Sequence, residues 1–152
     1  MKISLDVQTR INKAQSLFFN LSKLLFRNID ISIDIRRRVY VATVINILLW
    51  GCEAWALKVE DRRRLEVFHM RCCRRMMNVS IFDVIANHEL TNLNILRELG
   101  MLKLEAYLEL RRARWLEKLS HMNHTRAPRL LLGSWLPHSR RNGLAGRSQN
   151  TI

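Results

Sequence analysis

The sequence predicts an all-α protein: about five helices packed around a central apolar helix, followed by a flexible basic C-terminal tail. Three observations lead there. Apolar residues recur at spacings of three and four over long stretches, which draws stripes along helices. Glycine and proline fill only seven of the 152 positions, five and two respectively, too few turn formers for a strand-rich fold. A chain of 152 residues also makes one core and leaves no room for a multi-domain enzyme.

From Val7 to Leu25 the apolar residues stand at 7, 11, 14, 18, 21 and 25, and Asp6 or Ser4 can cap the first turn. Asp30-Ile31-Ser32 reads as a break and a fresh cap before a second helix, Ile33 to about Ala56. Its middle is apolar nearly all round, so neighbours must cover several sides and the helix belongs at the centre. The run from Val39 to Trp50 contains Thr43 and Asn46 and falls short of the roughly 18 residues a membrane span requires. Glu60-Asp61 suit the positive end of a third helix that runs to Met77, with Asn78 as its left-handed stop. On it Leu65, Phe68, His69, Cys72 and Met76 share one side. Arg63, Arg64, Arg71, Arg74 and Arg75 fall within an arc of about 120° on another. Asn87 reads as the cap of a shorter helix, 88–98, touching the core through Leu90, Leu93 and Leu96 and ending at Gly100. A fifth helix, 102–122, carries Leu104, Leu108, Trp115, Leu119 and Met122 as a stripe with Arg111 in its middle. Pro128 can open a short helix to Leu132, which sets a helical domain at 1–132 and a basic tail at 133–152 that from Pro137 onward is low in hydrophobicity and aperiodic.

Charge narrows the partners. Twenty-six Lys and Arg face 13 Asp and Glu, a net charge of +13, and 20 of the cations are arginine. The guanidinium fork grips phosphate at two points and stacks on bases, so the balance favours nucleic acid over an acidic membrane. Beyond Glu117 the chain carries Lys118, Arg126, Arg129, Arg140, Arg141 and Arg147 and no acid. Cys52, Cys72 and Cys73 are odd in number and two are adjacent, which suits reduced, core-filling thiols in an intracellular compartment. No secretory signal is visible at the N-terminus. Arg36-Arg37-Arg38 and Arg62-Arg63-Arg64 look like nuclear import signals only by composition, and solvated helix turns are the better explanation.

The arc on the third helix is the strongest feature: five arginines could neutralise several phosphates and give salt-dependent, sequence-independent binding, the alternative being a merely solvated face. Arg112 and Arg114 extend the basic character. A zinc site from His69, Cys72, Cys73 and Cys52 lacks any Cys-x-x-Cys pair and is not expected, nor is any cofactor. No Asp pair for two-metal chemistry, glycine-rich phosphate loop, Gly-x-Ser-x-Gly turn or His-Glu-x-x-His motif is present, so no catalytic residue is assigned. Arg111, on an apolar stripe without a carboxylate at i±3 or i±4, needs a partner from another helix. Glu53 is the natural one, unless it lies exposed at a helix end. Trp55 and Trp115 join them as structural residues.

Leu48-Leu49-Trp50-Gly51-Cys52-Glu53-Ala54-Trp55, followed by Leu65-Glu66-Val67-Phe68-His69-Met70-Arg71-Cys72-Cys73-Arg74-Arg75, resembles the region C-terminal to the polymerase palm of non-LTR, LINE-like retrotransposon reverse transcriptases. There the pattern reads Leu-Leu-Tyr-Gly-x-Glu-x-Trp, then Phe-His-x-Arg-Cys-Leu-Arg-Arg. Thr9-Arg10-Ile11-Asn12-Lys13-Ala14 and Arg112-Ala113-Arg114-Trp115 are similar to flanking stretches of that family, so the resemblance spans about residues 9–132. Trp115-Leu116-Glu117-Lys118-Leu119-Ser120-His121-Met122 departs from the family's Trp-x-Gly-His-Val-x-Arg-Met, losing its Gly, His and Arg. The resemblance implies a non-catalytic thumb and post-thumb fragment without the palm, one that grips RNA or an RNA/DNA template–primer duplex through phosphates. On that reading Arg63, Arg64, Arg71, Arg74 and Arg75 make the contacts, helped by Arg112, Arg114 and the tail residues Arg140 and Arg141; a separate palm domain is a further partner. The alternatives are a vestigial remnant without function and a helical protein-interaction module.

Overall fold

The computed structural model describes residues 2–86 and 90–135, with side chains over 5–86 and 90–131. It is all-α, and no strand occurs among the described residues. Two compact units are present, Met1–Arg111 and a second that begins at Arg112.

In the first unit α1, Lys2–Leu21, buries Val7, Ile11, Ala14 and Phe18, as the stripe predicts. Then the register slips by one. Ser22–Phe26 forms a π-helical turn whose wider i→i+5 bond, Arg27 N to Ser22 O at 2.9 Å, turns Ser22 and Phe26 inward where Leu21 and Leu25 were expected. Phe26 thereby stacks on Phe18 at 4.7 Å, and Tyr40 meets both rings edge-on.

The second helix starts as predicted, with Ser32 Oγ accepting from Ile35 N at the mouth of α2, Ile33–Tyr40. It continues through a second π turn, Val41–Ile45, into α3, Asn46–Leu48. It stops short of Ala56 because Gly51 adopts a left-handed φ of 76°, after which Cys52–Ala54 makes a 3-10 turn. Tyr40, Val44, Leu48 and Leu49 are fully buried and α3 lies against α1, while Ala42, Asn46 and Trp50 keep one edge exposed.

The third predicted helix is α4, Val59–Met76, with Asn78 at φ 56° as its left-handed stop and Val79 N bonded back to Arg74 O at 3.0 Å. Leu65, Phe68, His69, Cys72 and Met76 are buried as expected, joined by Asp61, Met70 and Cys73. All three cysteines are buried thiols, none of them in a disulfide among the described residues.

A short α5, Ile81–Ala86, was not foreseen, although Ser80 and Asp83 form the reciprocal capping box that announces it: Ser80 N donates to Asp83 Oδ2 at 2.7 Å and Asp83 N to Ser80 Oγ at 3.1 Å. The next helix, α6, is Asn92–Glu98, and Thr91 caps it by accepting from Asn94 N; Asn87, the expected cap, lies outside the described residues. It buries Ile95 and Leu96, whereas Leu93 is largely exposed. Gly100 ends it at φ 61°, as predicted.

Next comes α7, Leu104–Ser120, whose first turn buries Leu104 and, one turn on, Leu108 in the larger unit. Glu66 of α4 accepts from Leu104 N at 3.1 Å, so a side chain from another helix caps α7. In the second unit Leu119 is buried and Trp115 is 43% exposed, which corrects its expected place on the apolar stripe. The last helix, α8, runs Ala127–Trp135, across the boundary expected at 132/133. The tail beyond it lies outside the described residues.

Candidate nucleic-acid interface

The inner face of α4 fixes the outer one. Between α2 and α4, Tyr40 Oη lies 3.0 Å from His69 Nδ1, and His69 Nε2 lies 3.0 Å from the carbonyl of Leu102. A carbonyl only accepts, so Nε2 carries the proton and Nδ1 accepts from the Tyr40 hydroxyl. Burial outweighs the favourable Leu102 contact and holds the imidazole down to about 4, a neutral ring at physiological pH. Burial also pushes the Cys72 thiol up to about 12 and raises Cys73 and Tyr40 further from ionisation. These groups satisfy one another, and burial keeps the thiols and the phenol protonated. No group of three His, Cys, Asp or Glu positioned for a metal occurs among the described residues.

The buried arginine is Arg36, not Arg111. Arg36 is 7% exposed; its Nη1 donates to the Met76 carbonyl at 2.8 Å and the Phe26 carbonyl at 3.5 Å, closing the ends of α4 and of the first π turn. It sits one turn before Tyr40, Val44 and Leu48 on the same stripe, which is the signal the sequence offered. The expected Arg111–Glu53 pair does not form. Arg111 is only half-buried and donates to the Asn46 side-chain carbonyl, because α3 presents that amide at its open edge; Glu53 sits half-buried in the 3-10 turn. Trp55 is buried, as its structural role required, with Nε1 donating to Asp6 Oδ2 at 3.0 Å.

On the outer face the five predicted arginines separate. Arg64 pairs with Glu60 at 2.9 Å and lies 4.0 Å from Asp61, so its charge is compensated. Arg74 is half-buried and donates to the Asn92 side chain at 3.2 Å. Arg63, Arg71 and Arg75 are exposed, and no carboxylate lies within 4 Å of their guanidinium groups among the described residues. Arg75 also shares a groove with Lys23 and Arg27, from the π turn after α1 and its C-cap, two cations that sequence periodicity did not single out because a tertiary contact brings them there. Arg112 and Arg114 belong to the second unit, where Arg114 is exposed beside Glu117 and Lys118. Arg140 and Arg141 lie outside the described residues. Among the described residues no helix is long and apolar enough to cross a membrane. No protein-family model, curated protein or solved structure matches the chain.

Proposed function

We propose that this chain binds RNA or an RNA/DNA duplex through backbone phosphates on the outer face of α4 and carries no chemistry of its own, as the thumb and post-thumb part of a LINE-like reverse transcriptase whose palm lies elsewhere. One observation carries the reading. Arg63, Arg71 and Arg75 project without carboxylate partners, among the described residues, from a helix whose other face is locked into the core. In a chain of net charge +13, arginines without an acidic partner are free to exchange counterions for phosphate.

The residues that carry the family resemblance have fold-forming roles, which supports a likeness of scaffold. Gly51 makes the left-handed turn, Trp55 bonds to Asp6, His69 bridges Tyr40 and Leu102, and the two cysteines fill the core. The test is fluorescence anisotropy with an RNA/DNA hybrid at 50 and 200 mM salt. Three neutralised phosphates give a slope of log K against log salt of about −2.7. No binding at low salt would contradict the reading.

A second reading has its own observation. Within α5, Ile81, Phe82 and Ile85 are all largely exposed and no residue is buried, as expected of a surface that another domain covers. An oligomer or palm-domain complex that Phe82→Ser dissolves, with nucleic-acid affinity unchanged, would favour an interaction module.

A further inference from the structure

We propose that the groove between the end of α1 and the end of α4 is a site for single-stranded nucleic acid: Phe19 stacks on a base, and Lys23, Arg27 and Arg75 hold the flanking phosphates. This rests on the polyphosphate-binding reading and goes beyond it by naming a strand as ligand and residues off the α4 arc.

The groove encloses about 660 Å³, and its lining includes Phe19, Lys23, Arg27, Arg75 and Asn78 but no carboxylate. All three cations are exposed, and none has a carboxylate within 4 Å among the described residues. Arg27 Nε lies 3.5 Å from Asn78 Oδ1, an orientation made available by the left-handed stop at Asn78. That contact uses one of five donors and leaves the terminal nitrogens for a ligand. The buried Arg36, outside the groove lining, donates to the Phe26 and Met76 carbonyls, and among the described residues its Nε has no hydrogen-bond partner. Lys23, Arg27 and Arg75 line one groove without a carboxylate, and a polyanion relieves their repulsion.

Phe19 selects the kind of polyanion. Its ring is 68% exposed, while its neighbour Phe18 is 2% exposed and anchors the backbone in the core. A duplex keeps its base faces stacked inside. A single strand offers them, and an aromatic ring beside a basic groove is the arrangement that sequence-tolerant strand binders use.

The test compares, on the full chain, a twelve-residue oligo-dT with an abasic strand of equal length and charge. Wild type is expected to prefer oligo-dT about tenfold, Phe19→Ala to erase that preference, and Arg27→Gln to weaken both probes and lower the salt slope by about 0.7. Both changes are at exposed positions, and circular dichroism verifies the fold. Equal affinity of wild type for the two probes, a preference that survives Phe19→Ala, or displacement of oligo-dT as effectively by polyglutamate overturns the groove. Arg63→Gln with Arg71→Gln, which lie outside the groove lining, keep the two ideas apart. If they weaken hybrid binding while Phe19→Ala changes nothing, the groove proposal falls and the broader reading stands; if wild type binds neither probe nor the hybrid, both fall.

Discussion

The two faces of α4 spend their polar groups in opposite ways. Inward, Tyr40, His69 and the Leu102 carbonyl pair with one another, and Arg36 closes the helix end on the Met76 carbonyl. Outward, Arg64 meets Glu60 but Arg63, Arg71 and Arg75 meet no acid among the described residues. Buried polar groups are costly unless they pair, so these inward contacts serve stability. Exposed charges carry little fold energy, which leaves the outer face free to serve binding.

Acid should break the inner face first. The His69 imidazole is held to about 4 in the native state against an ordinary 6.5, so between those values the unfolded chain binds the extra proton. Stability is therefore complete above pH 6.5 and falls as pH drops toward 4, by about 3 kcal/mol from this group. Denaturant midpoints of wild type and His69→Gln across that range should converge. Their difference isolates the imidazole from Glu66, whose burial-raised carboxyl acts in the opposite direction. Next in size, Arg36→Met strands two helix-end carbonyls and should cost about 2 kcal/mol in urea unfolding. Tyr40→Phe removes the donor to His69 Nδ1 and should cost about 1.5 kcal/mol. Gly51→Ala forces a side chain into a left-handed turn that has nothing within 4 Å of the new methyl, so backbone strain alone should cost about 1 kcal/mol.

The same contrast explains what the sequence made legible. The core face of α4 follows an uninterrupted 3.6-residue period, and its apolar members could be read off directly. On α1 the period fails at Ser22, because a π turn rotates Ser22 and Phe26 inward, and no spacing rule anticipates a wider turn. Arg36 lay in plain sight on the Tyr40–Val44–Leu48 stripe, whereas the partner of Arg111 depended on which edge of α3 stayed open. At the candidate site the arginine arc was visible from helical phase. Its thinning was visible too, since Glu60 stands four residues before Arg64, the spacing at which opposite charges pair. Lys23 and Arg27 were not, because only the meeting of two helix ends brings them beside Arg75.

The most direct measurement pairs hybrid-binding salt titrations with urea unfolding on one variant, Arg63→Gln/Arg71→Gln/Arg75→Gln. The predicted result is a slope shallower by about 2.7 with unfolding free energy within about 0.5 kcal/mol of wild type. An unchanged slope, or a loss of stability that matches the loss of affinity, would contradict the division of labour between the two faces.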